Sequence, residues 1–277
     1  MEEATQRLVA LDTCTGCGLC VDECPGLLLR LEGLENRAKG IRAWETRCIR
    51  CGHCVAICPE KAIVLPTMKP EDCTTLKAAD LPSAEQVGLL LRGRRSVRSY
   101  KAKPVPRETI EELLDIARYA PSAVNVQGMH WTVVADREDV HRLAGLVIDW
   151  MKESLERSPQ QAAAFGLQAL VEDWDLGHDR VLRGAPVVVA AHAPTGAARG
   201  DVNGHIALTY LELAAFAHGL GACWAGYLYG AISAYPPVAE FLRIPADHQA
   251  HGAMMLGYLK HHYRRIPARN TLEVDWV

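Results

Sequence analysis

The sequence predicts an α+β protein in two parts: a small domain built from cysteine motifs, then a larger domain of alternating helices and strands. Three observations carry that expectation. Eight of the ten cysteines fall between Cys14 and Cys58 in a duplicated motif. A stretch punctuated by Pro66, Pro70 and Pro82 follows it. Beyond that stretch, apolar residues switch between helical and strand periods. The expected boundaries are a domain at 1–65, a linker at 66–82 and a second domain at 83–277.

The 277 residues are 49% apolar and 23% charged, with a formal net charge of −3. This is an ordinary globular composition. It is too apolar for a mainly disordered chain, and it lacks the basic excess of nucleic-acid binders. The start, Met1-Glu2-Glu3-Ala4-Thr5, is acidic and has no apolar h-region, so a secretory signal is not expected. The chain is read as cytoplasmic, where thiols stay reduced and disulfides are disfavoured. The longest apolar stretch, 205–232, has one formal charge at Glu212, a break at Gly219-Leu220-Gly221, and His205 and His218 within it. Those interruptions favour a buried core element over a membrane span.

In the first domain, Cys14-x2-Cys17-x2-Cys20-x3-Cys24-Pro25 recurs as Cys48-x2-Cys51-x2-Cys54-x3-Cys58-Pro59, offset by 34 residues throughout. Gly16 and Gly18 bracket Cys17, and Gly52 follows Cys51, which relieves crowding where backbone wraps tightly. Three thiolates at this spacing can hold three corners of an iron–sulfur cubane, while the fourth, before proline, ligates the other cluster. That predicts one cluster on Cys14, Cys17, Cys20 and Cys58, and another on Cys48, Cys51, Cys54 and Cys24. Zinc also takes four cysteines but normally pairs two Cys-x2-Cys units. Residues 8–65 closely resemble bacterial two-[4Fe–4S] ferredoxins. His53, inside Cys51-x2-Cys54, is read as a surface or supporting residue, because eight thiolates already suffice. Acidic and basic residues nearly balance here, so charge identifies no docking partner.

The second domain starts near Ser83. Residues 107–120 carry Ile110, Leu113, Leu114, Ile116 and Ala117 at helical spacing. Residues 130–135 read as a strand, 136–151 as a helix, and 152–177 as more polar helix. Residues 186–191 form a short β-type run, 202–218 a long apolar helix, and 254–258 a further strand. The strand order does not follow from the pattern.

Four segments in this domain carry chemistry. Arg94-Arg95-Ser96-Val97-Arg98-Ser99 places three guanidinium groups and two hydroxyls in six residues, a set suited to a phosphate and also to a solvated turn. Ala120-Pro121-Ser122-Ala123-Val124-Asn125-Val126-Gln127 follows a helix and alone reads as a turn. Gly219-Leu220-Gly221-Ala222-Cys223-Trp224-Ala225-Gly226 is not a GxGxxG sequence and is not expected to open a helix after a strand, so it is not a dinucleotide fingerprint. Arg264-Arg265-Ile266-Pro267-Ala268-Arg269 is basic and fixed by proline.

In this order and spacing the four segments resemble the FMN-dependent nitroreductase family over residues 88–270. The resemblance implies an α+β sandwich, and a homodimer with two FMN molecules at its interface. It carries Arg94, Arg95, Ser96 and Arg98 to the flavin phosphate and ring edge. Pro121, Ser122 and Asn125 correspond to a loop approaching the flavin, usually from the partner chain. Trp224, Ala225 and Gly226 correspond to the segment passing the isoalloxazine, Arg269 to a phosphate-binding arginine, and Arg265 to its companion. Two departures stand out: Gly128 follows Gln127 where many members have proline, and Ala225 stands where many carry an acid.

Cys223 and Cys73 read as an inert buried thiol and a linker thiol. Trp131, Trp150 and Trp174 read as core or interface residues, and His192 and His205 as core or helix-start residues. No Ser/His/Asp triad or His-Glu-x-x-His motif is visible, so no catalytic side chain is expected beyond the flavin itself. Joining clusters to FMN implies a reductase: electrons pass from a carrier protein such as ferredoxin through the clusters and FMN to a nitroaromatic, quinone or activated alkene. The alternatives are NAD(P)H oxidation with electrons leaving through the clusters, and a non-catalytic electron carrier or redox sensor.

Overall fold

The computed structural model describes residues 9–41 and 44–277. Residues 1–8, including the acidic Met1–Thr5 stretch, and residues 42–43 lie outside the described set. The chain divides into two compact units. One holds the residues up to Leu81 together with Val124–Val126, and the other holds Pro82–Ala123 and Gln127–Val277.

The first unit contains β1 (Val9–Ala10), α1 (Leu19–Asp22), β2 (Leu29–Glu32), β3 (Arg37–Gly40), α2 (Trp44–Arg47), α3 (His53–Ala56) and β4 (Ile63–Val64). The sequence repeat is visible in its backbone. Each motif throws one short helix after a left-handed glycine, α1 after Gly18 at φ 83° and α3 after Gly52 at φ 77°. β1 closes antiparallel on β4, and β2 pairs with β3 as a hairpin between the two motifs. Leu28, Leu29, Trp44, Val55, Ile63 and Leu65 fill the core with Cys20. Met68 and Cys73, in the proline-punctuated stretch, pack against the same core.

The second unit contains α4 (Ala84–Gly93), α5 (Arg107–Ala117), β5 (His130–Val134), α6 (Arg137–Arg157), α7 (Pro159–Ala164) and α8 (Leu167–Asp175). It continues with β6 (Val187–Pro194), α9 (Gly200–Ala217), β7 (Leu220–Trp224), α10 (Gly226–Ala234), α11 (Pro236–Phe241) and β8 (His248–Tyr258). The sheet order is β5-β6-β8-β7, antiparallel throughout. Helices cover both faces. Val188, Ala190, Ala253 and Met255 meet the α6, α8 and α10 side, while Val187, Val189, Met254 and Leu256 meet α5 and α9. A strand buried on both sides reads as a continuous apolar run rather than an alternation. That is why 186–191 is legible as a strand while β6 runs three residues further.

Three expectations are corrected. The last strand begins at His248 rather than 254, because polar His248, Gln249 and His251 and the kinked Gly252 (φ 140°) hide its first half. The 219–226 segment does lie between a strand and a helix, β7 and α10, although its glycine spacing is still not the dinucleotide pattern. The helix from 107 ends at Ala117, before the turn leading to Pro121. The 205–232 stretch is divided among α9, β7 and α10, and among the described residues no helix is long and apolar enough to cross a membrane.

His192, in the middle of the sheet, is 5% exposed. Its Nδ1 lies 2.8 Å from His248 Nδ1 and its Nε2 lies 3.2 Å from Thr132 Oγ1. Burial pushes its pKa down to about 4, with further lowering from His248, His130 and His251. A histidine whose folded pKa is depressed contributes full stability above its unfolded pKa and loses it as pH falls toward the folded one. Stability should therefore fall between about pH 6.5 and pH 4, by at most about 1.4 kcal/mol per pH unit from this group. Urea midpoints measured across that range should show a shallower slope in His192→Gln.

Candidate functional site

In the first unit, Cys14, Cys17, Cys20 and Cys58 line one cavity, and Cys24, Cys48, Cys51 and Cys54 line a second. The cysteine preceding each proline therefore faces the other motif's triplet. All ten cysteines are free thiols. The backbone fits closely around them: a Cβ at Gly16 would stand 2.5 Å from the Asn36 carbonyl oxygen, and one at Gly52 would stand 2.7 Å from Met68 Sδ. Backbone N–H groups of Leu28, Arg50 and Ala62 donate to the sulfurs of Cys24, Cys48 and Cys58 at 3.2–3.4 Å. Burial, then Cys51 and Cys48, pushes the Cys54 thiol up to about 12. Two sets of four crowded thiols, with N–H donors on three of the eight sulfurs, are donor sets for a cationic iron–sulfur core. Among the described residues no three metal-binding side chains close on a single ion, and the thiols instead ring a shared space. His53 is exposed at the start of α3.

In the second unit, residues 94–101 run beside the sheet edge. Val97 N–H donates to the Ala222 carbonyl at 2.8 Å, Lys101 N–H donates to the Tyr258 carbonyl at 2.8 Å, and Tyr100 Oη donates to the Val97 carbonyl at 2.6 Å. This fixes the arginine run along β7. A cavity of about 900 Å³ opens where β7 turns into α10. Arg98, Arg183, Cys223 and the Trp224-Ala225-Gly226 turn form part of its wall, with Trp150 and Phe165 also among the lining residues. Cys223 is buried, and desolvation raises its thiol pKa against the lowering pull of Arg98 and Arg183.

The predicted residues separate in the structure. Arg98, Trp224, Ala225 and Gly226 meet at this cavity. Arg94 instead donates to Glu212 Oε1 of α9 at 2.8 Å, an ion pair in which the Glu212 side chain is almost fully buried. Arg95 donates to the Arg92 carbonyl at 2.6 Å, and its buried Nε has no partner. Ser96 makes an isolated bridge with Ala222. Pro121 and Ser122 line a second cavity of about 480 Å³. Asn125, grouped with the first unit, donates to the Ile49 and Arg50 carbonyls at 3.0 and 3.1 Å. Arg265 and Arg269 lie in an exposed C-terminal segment without regular structure and do not line the 900 Å³ cavity. His205 stacks on Trp224 with ring centroids 5.6 Å apart, and its Nδ1–H donates to the Asp201 carbonyl at 2.6 Å.

Sequence reasoning missed three supporting residues. Buried Asn203 in α9 accepts from Ala123 N–H at 2.9 Å and donates to the Ala198 carbonyl at 2.8 Å, which holds the end of the Pro121–Ala123 turn. Asp179 accepts from the N–H groups of Val181, Leu182 and Gly184 at 2.8–2.9 Å. Arg183 is presented by that turn at φ 59°. The available signals were an Asn inside an otherwise apolar helix and an Asp five residues before a Gly, both weak alone.

A nitroreductase family model matches residues 91–258, and a 4Fe-4S dicluster domain model matches residues 9–63. The chain belongs to the nitroreductase family and carries a 4Fe-4S dicluster domain ahead of the family domain. A 4-nitrobenzoate reductase from Nocardioides sp. is 46% identical over 68 residues, which is 24% of this chain and 27% of that protein. The chain spans between 27% and 34% of the length of the curated relatives it matches. A nitroreductase with bound FMN from Bacteroides fragilis shares the fold at TM-score 0.55 and 21% identity, over 69% of this chain and 99% of that one. An FMN-dependent nitroreductase from Mycobacterium smegmatis, solved with NADPH, aligns at TM-score 0.50 and 23% identity over 69% and 99%.

Asn203→Ala should lower stability by about 1 kcal/mol, the cost of leaving the partly buried Ala123 N–H without its acceptor. A shift of the urea midpoint at unchanged m-value would register it.

Proposed function

We propose that the chain is an iron–sulfur flavoprotein oxidoreductase that binds two [4Fe–4S] clusters and FMN and reduces a small organic acceptor. The observation that carries this reading is the occurrence, in one chain, of two four-thiol cavities and a cavity in the family domain lined by Arg98, Arg183 and the Trp224-Ala225-Gly226 turn. When bound, FMN supplies a centre that exchanges electrons singly or in pairs, while each cluster moves them one at a time.

The protein's own residues then have distinct tasks. The eight cysteines hold the clusters in the crossed pattern, one set on Cys14, Cys17, Cys20 and Cys58 and the other on Cys24, Cys48, Cys51 and Cys54. Arg95 and Ser96, with Arg265 and Arg269, hold the flavin phosphate by charge-assisted hydrogen bonds. Arg98 faces the ring edge. The Trp224–Gly226 turn carries the ring, and His205 braces Trp224 from α9. Pro121, Ser122 and Asn125 are contributed across a homodimer. Trp150, Phe165 and Tyr227 give the cavity an apolar lining that keeps water from the reacting face. Arg94 serves the fold through Glu212 rather than the phosphate.

The acceptor class is a nitroaromatic, quinone or activated alkene, and the 4-nitrobenzoate reductase among the relatives favours the first. Electrons arrive from a one-electron carrier such as ferredoxin. A second reading has NAD(P)H reduce FMN directly, with electrons leaving through the clusters. The fold neighbour solved with NADPH is the observation behind it.

Anaerobic titration of the reconstituted protein, followed at flavin and cluster wavelengths, tests both. Reduction by ferredoxin with no bleaching by NADH or NADPH supports the first current, rapid bleaching by a nucleotide supports the second, and a chain that retains no FMN overturns the whole reading. The crossed ligation predicts that Cys24→Ser lowers iron from about eight to about four per chain. The cluster signal lost should be the same one lost in Cys48→Ser, and should differ from that lost in Cys58→Ser. Paramagnetic resonance of the reduced variants reads this directly.

A further inference from the structure

The two sets of thiols are not equivalent. Cys17 is exposed in one set, whereas Cys24, Cys48, Cys51 and Cys54 of the other are all partly buried. The backbone donors divide the other way. Leu28 and Arg50 N–H groups donate to Cys24 and Cys48 in the second set, while Ala62 N–H donates to Cys58 in the first. Water at Cys17 and N–H groups at Cys24 and Cys48 both stabilise added negative charge on a cluster, so the two effects compete for an electron.

One of these donors is gripped from outside the cysteine motifs. Asn125 Nδ2 donates to the Ile49 carbonyl at 3.0 Å and to the Arg50 carbonyl at 3.1 Å. The Ile49 carbonyl and the Arg50 N–H are the two ends of one peptide group. A continuous chain of hydrogen bonds therefore runs from Asn125 through that peptide to Cys48 Sγ, which Arg50 N–H reaches at 3.4 Å. A donor placed on a carbonyl polarises its amide and strengthens the bond that the same amide donates. The second bond, to the Arg50 carbonyl, holds the next peptide as well and resists turning the N–H away from the sulfur.

The turn that presents Asn125 is itself held in place. Val124, Asn125 and Gln127 have left-handed backbones at φ 47°, 54° and 48°. For a β-branched valine this conformation persists only where neighbouring bonds fix it. Asn203 Oδ1 accepts from Ala123 N–H on one side, and Ser122 Oγ accepts from Gln127 N–H at 3.0 Å on the other. Val124–Val126 belong to the compact unit that holds the cysteines. Resting on the cluster reading above, we infer that Asn125 is a positioning residue for the cluster on Cys24, Cys48, Cys51 and Cys54, drawing an electron to it from the cluster at exposed Cys17. The step is one electron leaving the first cluster and reducing the second, and no bond or proton changes place. The electron is supplied by the one-electron carrier proposed above. This task uses the Asn125 amide nitrogen and does not draw on the flavin.

The test uses the full chain loaded with both clusters and FMN, comparing wild type with Asn125→Ala, Asn125→Gln and Asn203→Ala. Anaerobic potentiometric titration with dithionite, followed by paramagnetic resonance, reads the two cluster midpoints separately. Cys48→Ser and Cys58→Ser assign the signals. Asn125→Ala should reduce the equilibrium constant for moving an electron onto the Cys48 cluster about two- to fivefold, the share of a charge-assisted hydrogen bond that a polarised peptide transmits. At about 59 mV per tenfold for one electron, this lowers that midpoint by about 20–40 mV. Asn125→Gln keeps an amide on a longer stem and should shift the same midpoint by less. Asn203→Ala loosens the same turn with the amide in place and should move neither midpoint. Unmoved midpoints in both Asn125 variants would overturn the inference. Equal shifts of the two clusters would also overturn it, as would the same shift in Asn203→Ala, since either makes Asn125 a packing residue only. A wild-type chain that takes up fewer than two clusters would instead sink the reading beneath it.

Discussion

The arrangement of the larger unit depends on one close approach, that of Val97 to Gly221. A Cβ at Gly221 would stand 2.5 Å from Val97 Cγ2, so the strand must lack a side chain there for the arginine run to lie against it. The Val97 N–H bond to the Ala222 carbonyl then sets the register, and Tyr100 locks the turn that follows. With the register fixed, successive arginines diverge. Arg94 goes to Glu212 on α9, and Arg98 goes to the cavity beside Cys223. A shift that carried Arg94 away from α9 would leave the almost fully buried Glu212 carboxylate without its partner, at a cost of about 3–5 kcal/mol.

The two units obey different constraints. In the larger unit, burial on both faces of an antiparallel sheet supplies the core, and α9 can be apolar nearly all round because it packs on the sheet and on α5. In the smaller unit the elements are two to four residues long, too short to bury a core by themselves. Its apolar residues instead gather around the cysteines, and left-handed glycines let the chain wrap them. A unit of this kind gains much of its folding free energy from the groups its ligands hold, in the way that small metal-dependent domains do.

Legibility in the sequence followed the same division. The cysteine spacing contains its own geometry, since each thiol's destination follows from a local repeat, and the structure gathers the two sets of four around two cavities. In the larger unit the helices at 107 and 136 were visible through their period, and β6 through its unbroken apolar run. The first half of β8 was hidden because it is polar and kinked, with His248 meeting His192 and Gly252 lying under Leu208 and Trp224. At the site, the arginine run was conspicuous, yet nothing in Arg94-Arg95-Ser96-Val97-Arg98 reveals that its first guanidinium belongs to Glu212, 118 residues away. Arg183 was invisible for the converse reason. A single arginine before Gly-Ala-Pro is common, and only the fold places it on the cavity wall.

Charge accounting extends that point beyond single residues. An arginine at a surface can satisfy itself with water, so its lack of a partner carries no information. An arginine paired with a buried carboxylate is different: Arg94 donates to Glu212, whose side chain is almost fully buried, and removing either partner would strand a charge away from water. The charge that the sequence makes conspicuous is thereby divided: one guanidinium of the run, Arg94, is committed to the fold, and another, Arg98, stays solvent-exposed beside the cavity.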